Sequence, residues 1–182
     1  MIEISFTAGS LTVLLGWLLY RGCAYYRCNR VDWKQEIKQI FFLINLLVIA
    51  RFTFYPFSKV DGKVQPLIFE AATAWPFRVN LIPFVNLLDY ESRSDLLINI
   101  IGNFAMFIPT GIMIPLIYKR INDFRKVVLS GVALSLAIEI IQLPFAVRAS
   151  DVDDLILNTA GCAAGYGIYA LARFIKSLKT KN

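Results

Sequence analysis

Five long apolar segments, separated by short polar stretches, dominate the pattern of the 182-residue chain. A helix needs about 20 mostly apolar residues to cross the hydrocarbon core of a membrane, and each segment is close to that length. The pattern therefore predicts an all-α fold, a polytopic membrane helix bundle of about five transmembrane helices. These helices are predicted at residues 4–20, 37–55, 96–118, 127–147 and 155–175.

The apolar segments divide the chain into three parts. Residues 1–36 are predicted to form an N-terminal transmembrane helix and a basic cytoplasmic loop, residues 37–175 the main transmembrane domain, and residues 176–182 a basic cytoplasmic tail. Within the main domain, residues 56–95 lack a spanning run but contain many aromatic side chains, which favour the membrane interface. We expect this interfacial loop to form a cap on the bundle.

Composition and charge agree with a membrane location. Hydrophobic residues make up 57% of the chain and charged residues only 18%, whereas an ordinary soluble domain is about 25% charged. The pI of 9.3 does not indicate nucleic-acid binding, because the basic residues lie at the ends of the apolar segments. Most of the 19 Lys and Arg residues fall on one side of the predicted membrane, which the positive-inside rule assigns to the cytoplasm. The predicted topology therefore has the N-terminus outside and the C-terminus inside.

Polar residues inside the predicted helices are the first candidates for function, because they are costly in hydrocarbon unless they find partners. Asn99 and Asn103 are four residues apart and share one helix face. Ser135, Glu139 and Gln142 form a stripe along the fourth helix. In the predicted topology the intramembrane polar residues lie in the outer half of the membrane, with residues 148–154 at the rim, so we expect one outward-facing polar cavity. Its candidate ligand-binding residues are Arg51, Asn99, Asn103, Glu139, Gln142, Arg148, Asp151, Asp154 and Asn158.

Several of these candidates also have a purely structural explanation, which for Asn99 and Asn103 is hydrogen bonding between helices. Glu139 and Arg51 are expected to form a buried pair that keeps the carboxylate ionised, and such a pair either binds a ligand or fixes helix packing. The aspartates of residues 151–154 either line the cavity rim or cap the fifth helix. Gly161 and Gly165 form a small-xxx-small pattern, which lets a neighbouring helix approach closely.

Catalytic chemistry is only weakly indicated. The chain contains no His, which is the usual proton shuttle and a common zinc ligand. Its three Cys residues have no zinc-binding spacing, so neither a metal nor a cofactor is predicted. Glu139, paired with Asp151 or Asp154, is the candidate for general acid–base catalysis.

Four segments carry a resemblance to a known family. They are residues 80–84 (Asn-Leu-Ile-Pro-Phe), residues 99–111, residues 135–142 and residues 148–158, the last followed by Gly161 and Gly165. In combination these segments resemble the VanZ-like family of bacterial membrane proteins over about residues 37–175. The first predicted helix lies outside the resemblance.

The resemblance implies a multi-pass protein of the bacterial cytoplasmic membrane. The founding member of the family is linked to glycopeptide resistance, in particular to teicoplanin. We therefore expect a cell-envelope protein that contacts membrane lipid and binds a lipid-linked cell-wall precursor or a lipoglycopeptide drug in its polar cavity. The alternatives are a membrane-embedded enzyme, a lipid or solute transporter, and a structural partner of another membrane protein. The sequence does not predict the oligomeric state.

Overall fold

The computed structural model describes residues 2–28, 31–55, 59–60, 62–70, 79–85, 92–145 and 150–180. The helices of these residues are α1 (Phe6–Cys28), α2 (Trp33–Phe54), α3 (Arg93–Ile117), α4 (Phe124–Gln142) and α5 (Val152–Lys179), one for each predicted helix. Three of them, α2, α3 and α5, are long and apolar enough to cross a membrane. The mostly helical fold is confirmed, whereas the number of spans and the orientation in the membrane stay predictions.

Helix α1 differs from the prediction at both ends. It begins at Phe6, because Ile2–Ile4 form a strand instead, and it continues to Cys28 through residues predicted to be a polar loop. Arg21, within this extension, donates from Nε to the Glu36 carboxylate of α2 at 3.0 Å, and its Nη2 forms an ion pair with the same carboxylate. Because this charge has a partner on the neighbouring helix, it does not end α1.

Helix α4 is shorter than predicted. It ends at Gln142 rather than at residue 147. Pro144 has no N–H to continue the helical hydrogen bonds, and it disfavours helical backbone at the preceding residue. The N–H of Phe145 instead donates to the carbonyl of Gln142 at 3.0 Å, which closes a turn.

Short strands, which the all-α prediction does not contain, lie mainly in the interval 56–95. They are β1 (Ile2–Ile4), β2 (Lys59–Val60), β3 (Lys63–Val64), β4 (Leu67–Phe69), β5 (Val79–Asn80) and β6 (Ser150–Asp151). Strand β1 pairs antiparallel with β4, and β2 pairs antiparallel with β3. Gly62, at the turn between β2 and β3, has a φ of 73°, which glycine adopts without steric cost. Strands of two or three residues are too short to show the alternating pattern that predicts a strand.

The chain divides into two compact units. Unit 1 comprises Met1–Arg78 and Ile141–Ser150, and unit 2 comprises Val79–Ile140 and Asp151–Asn182. The core of unit 1 is the buried cluster of Tyr55, Leu67 and Phe145. The ring of Phe145 packs edge-to-face against Phe54 and Phe69, with centroids 6.2 and 5.8 Å away. The residues after α4 therefore belong to the same core as the end of α2 and strand β4.

Unit 2 is organised by close backbone contact between α3 and α5. Gly161 and Gly165 of α5 lie against the carbonyls of Phe104 and Ile108 of α3, and a Cβ atom at either glycine would overlap them. Gly111 of α3 lies against the backbone of α5 in the same way. The predicted packing role of the small-xxx-small pattern is confirmed, and its neighbour is α3.

Helix α4 packs on a different face of α5. A Cβ atom at Gly131 would come within 2.6 Å of the Cys162 sulfur, and that thiol contacts the carbonyl of Val127 at 3.6 Å. Near the other end of α5, the Tyr169 hydroxyl donates to Asn122 Oδ1 at 3.0 Å. Two faces of α5 are thus occupied, one by α3 and one by α4.

The glycine contact predicts opposite effects for two substitutions on α5. Gly161→Ala places a methyl group against the Phe104 carbonyl, which is backbone and cannot rotate away, so we expect a loss of about 1–3 kcal/mol of stability. Gly167→Ala is the matched control, because nothing lies within 4 Å of its Cβ position. It should be neutral or stabilising by up to about 1 kcal/mol, since Ala is the better helix former.

The measurement is thermal unfolding of both full-length variants in detergent, followed by circular dichroism. Equal midpoints for Gly161→Ala and the wild type would contradict the close contact between α3 and α5.

Candidate functional site

Polar side chains from several elements of unit 2 meet at the N-terminal end of α5. Asp151 is the N-cap residue, in extended conformation, and its side chain accepts from the N–H of Asp153 at 3.0 Å. Asp153 and Asp154 occupy the first helical turn. Negative charge is favourable there because of the unpaired N–H groups and the helix dipole. Capping of α5, one of the two explanations considered for these aspartates, is therefore confirmed for Asp151.

The three aspartates contact three different parts of unit 2. Asp151 Oδ1 accepts from the side-chain amide of Asn80 at 3.2 Å. The Asp153 carboxylate accepts from the backbone N–H of Phe84 at 2.9 and 3.1 Å. Asp154 Oδ1 accepts from the side-chain amide of Asn103 on α3. The first turn of α5 is thereby connected both to the segment 79–85 and to α3.

Glu139 connects α4 to the same place. It is only 5% exposed, and its Oε2 accepts from the backbone N–H of Asp151 at 3.0 Å. A buried carboxylate is stabilised when backbone N–H groups donate to it. The side chain of Glu139 therefore lies beside the N-cap of α5.

One helical turn deeper, Asn158 and Ser135 form a second contact between α4 and α5. The Asn158 side-chain amide donates to Ser135 Oγ at 2.9 Å, and the two residues are 1% and 0% exposed. Asn158 Oδ1 has no hydrogen-bond partner within the described part of the chain. A buried carbonyl oxygen without a donor is costly, so this oxygen is suited to accept from a water molecule or a ligand.

On α3, Asn99 and Asn103 share a face as predicted. The Asn103 amide nitrogen lies 3.5 Å from Asn99 Oδ1, and the same nitrogen donates to Asp154. Asn103 is 8% exposed. The structure therefore brings together the predicted site residues of unit 2, which are Asn99, Asn103, Glu139, Asp151, Asp154 and Asn158.

The remaining predicted site residues lie elsewhere. In unit 1, Arg51 Nη1 donates to the carbonyl of Tyr55 at 3.1 Å, and Gln142 Nε2 donates to the carbonyl of Thr53 at 2.7 Å. Both side chains thereby satisfy carbonyl groups at the end of α2, where helical partners are missing. Arg51 and Glu139 belong to different units, so their predicted pairing stays a prediction. Arg148 lies outside the described residues.

Asn80 and Asp153 are part of this site although they are absent from the predicted set. Besides binding Asp151, Asn80 accepts from the N–H of Ile82 through its Oδ1 at 3.1 Å, an Asx-turn contact. Asp153 is 3% exposed, and it holds Phe84, which has a φ of 67°. The sequence feature that points to Asn80 is the segment Asn-Leu-Ile-Pro-Phe at residues 80–84, because Asn and Pro close together are typical of a turn.

The site is rich in hydrogen-bond acceptors. Glu139 and the three aspartates supply carboxylate oxygens, and the amide side chains of Asn80, Asn103 and Asn158 supply both donors and acceptors. Such a set has the chemistry to accept hydrogen bonds from hydroxyl, amide and ammonium groups. The described residues contain no group of three or more His, Cys, Asp or Glu side chains arranged to hold a metal ion. A general acid–base role for Glu139 stays a prediction.

Comparison with known proteins places the chain in a family. The VanZ/LLP1 family matches residues 42–173, a range that contains the whole site described above. Protein VanZ of Enterococcus faecium is 35% identical over 94 residues, which are 52% of this chain and 53% of that protein, so the chain spans about half the length of this curated relative. No solved structure matches the chain. Because the family match extends over most of the chain, as the motifs predict, this protein belongs to the VanZ/LLP1 family.

Proposed function

We propose that this protein is a cell-envelope membrane protein that binds a polar head group at the N-terminal end of α5 and thereby contributes to teicoplanin resistance. The observation that supports the proposal is the meeting of buried polar side chains from α3, α4 and α5. Two of these helices, α3 and α5, are apolar enough to cross a membrane. Polar groups at such positions are retained mainly where they bind ligands or one another.

The position of the site suits a ligand at the membrane surface. Its carboxylates lie at the beginning of α5, hence at one end of an apolar helix rather than at its middle. In the predicted topology this end faces the outside, where lipid-linked wall precursors and glycopeptide drugs meet. Residues 79–85 lie over the same end through the contacts of Asn80 and Phe84.

The chemistry of the site favours the sugar–peptide part of such a ligand. Carboxylate and amide oxygens accept hydrogen bonds from hydroxyl groups, amide N–H groups and ammonium groups. A lipid-linked wall precursor and a lipoglycopeptide both present these groups. Asn158 Oδ1 is buried and has no partner among the described residues, so a hydrogen bond from a ligand would remove the cost of leaving this acceptor unsatisfied. Arg148 is proposed to contact an anionic group at the rim through its forked donors.

An enzymatic function is the second candidate, because Glu139 is buried next to the N-cap of α5. A buried carboxylate beside other carboxylates can act as a general base or acid. Turnover of a wall precursor to a new product by the purified protein, lost in Glu139→Gln, would favour this function over binding alone.

The first prediction of the proposed function concerns resistance in cells. A strain that lacks this gene is complemented with wild type, Glu139→Gln, Asp154→Asn or Asp95→Asn, and each protein is checked for its level in the membrane. Glu139→Gln and Asp154→Asn should fail to restore teicoplanin tolerance, because the site loses acceptors. Asp95→Asn is the matched control, since Asp95 is an exposed acid on α3. Full complementation by all variants would contradict the proposed role of the site.

The second prediction concerns direct binding. The purified chain in lipid nanodiscs is titrated with teicoplanin and, separately, with a soluble disaccharide–pentapeptide fragment of the wall precursor. Replacement of Asn158 by Leu, which has a similar size, should weaken binding about tenfold, because a buried ligand donor left without its acceptor costs about 1–3 kcal/mol. The Asp95→Asn control should bind as the wild type does. Absence of binding to both probes would overturn the proposed ligand class.

A further inference from the structure

The C-terminal part of α5 extends beyond the helices that pack against it. Tyr169 makes the last described contact with the α3–α4 connection, through Asn122, whereas residues 171–180 are all exposed. The helix has 28 residues, which at about 1.5 Å per residue gives about 42 Å. The hydrocarbon core is only about 30 Å thick, which is less than the length of α5 even at the usual tilts of a membrane helix, so the last turns extend to the membrane surface.

These last turns are amphipathic. Leu171, Phe174, Ile175 and Leu178 follow the i, i+3, i+4, i+7 spacing of one helix face, and each is exposed by 46% or more. This face continues the exposed side of α5 at Ile168. An apolar face of this kind at the end of a membrane helix is suited to the boundary between acyl chains and head groups.

The opposite face of the same turns is basic. Arg173, Lys176 and Lys179 are spaced by three residues, and residues 155–182 contain no Asp or Glu. At 100° per residue, these basic positions lie on the same side of α5 as Gly161 and Gly165. Nearer the N-terminal end of the helix, that side packs against α3. The basic face therefore lies directly beyond the point where packing against the other helices of unit 2 ends.

The connection between α3 and α4 adds further positive charge at this end. It carries Lys119 and Arg120, and the first turn of α4 contains Arg125 and Lys126. Asp123 is the acidic residue of this stretch, and it is already engaged by Lys126 through an ion pair at 3.0 Å. The hydrogen bond from the Lys126 N–H holds the pKa of Asp123 below its ordinary value, so this carboxylate stays ionised and paired.

We propose that the basic face of Leu171–Thr180, together with the α3–α4 connection, binds the anionic head groups of phospholipids, while the apolar face inserts beside their acyl chains. Charge complementarity selects this partner, because basic residues next to a membrane helix are attracted to anionic lipid by about 1 kcal/mol each. The site lies at the opposite end of α5 from the polar site of the aspartates. It would anchor this end of unit 2 in the membrane surface.

The test measures lipid binding by the full-length chain in detergent, with phosphatidylglycerol and with phosphatidylcholine of the same acyl chains, by native mass spectrometry. The variant Arg173→Gln/Lys176→Gln/Lys179→Gln should lose phosphatidylglycerol affinity on the order of 100-fold, with phosphatidylcholine binding unchanged. The control Arg27→Gln/Lys34→Gln/Lys38→Gln removes the same charge from unit 1.

Three results would overturn the proposal. The first is equal loss of phosphatidylglycerol binding in both triple variants, which would show a net-charge effect. The second is an unchanged affinity of the α5 variant for phosphatidylglycerol, which would show that the basic face does not bind anionic lipid. The third is a parallel loss of phosphatidylcholine binding, which would remove the role of head-group charge.

Discussion

The close backbone contact between α3 and α5 is the constraint on which the rest of unit 2 depends. In lipid there is no hydrophobic force to press two apolar helices together, so their association relies on dispersion and on polar contacts between helices. Gly161 and Gly165 remove the side chains that would hold the helices apart. The short separation then allows Asn103, next to the Phe104 carbonyl that Gly161 touches, to reach Asp154 on α5.

The polar contacts around the first turn of α5 have both a structural and a functional consequence. They hold α3, α4 and the segment 79–85 around the first turn of α5, and they leave a concentration of acceptors at that end of the helix. Asp151 illustrates both consequences. Its side chain caps α5 and accepts a hydrogen bond from the Asn80 amide, and its backbone N–H donates to Glu139. A substitution here therefore acts on stability as well as on binding, and for this reason each functional variant needs its membrane level measured.

The length of the apolar segments was sufficient to predict the helices, and the four-residue spacing was sufficient to predict the shared face of Asn99 and Asn103, because that face depends only on regular helix geometry. Segment length could not predict that α1 continues past Arg21, since that extension depends on Glu36 of another helix. Spacing also could not identify Asp153, because its partner is a backbone N–H that sequence does not distinguish from any other. Arg51 was predicted because a polar residue inside a span is costly, and in the structure its guanidinium donates to a carbonyl at the end of its own helix and lies over the rings of Phe6 and Phe52.

The central claim is that the polar site at the beginning of α5 faces the outside of the cell. It is tested most directly by labelling single cysteines in intact cells with a membrane-impermeant thiol reagent. Leu81→Cys lies beside the site and is 74% exposed in the wild type, and Lys179→Cys marks the opposite end of α5. Cys23 and Cys28 are replaced by Ser, and Cys162 is buried. We predict labelling of Leu81→Cys in intact cells and of Lys179→Cys only after permeabilisation, and the reverse pattern would contradict the account.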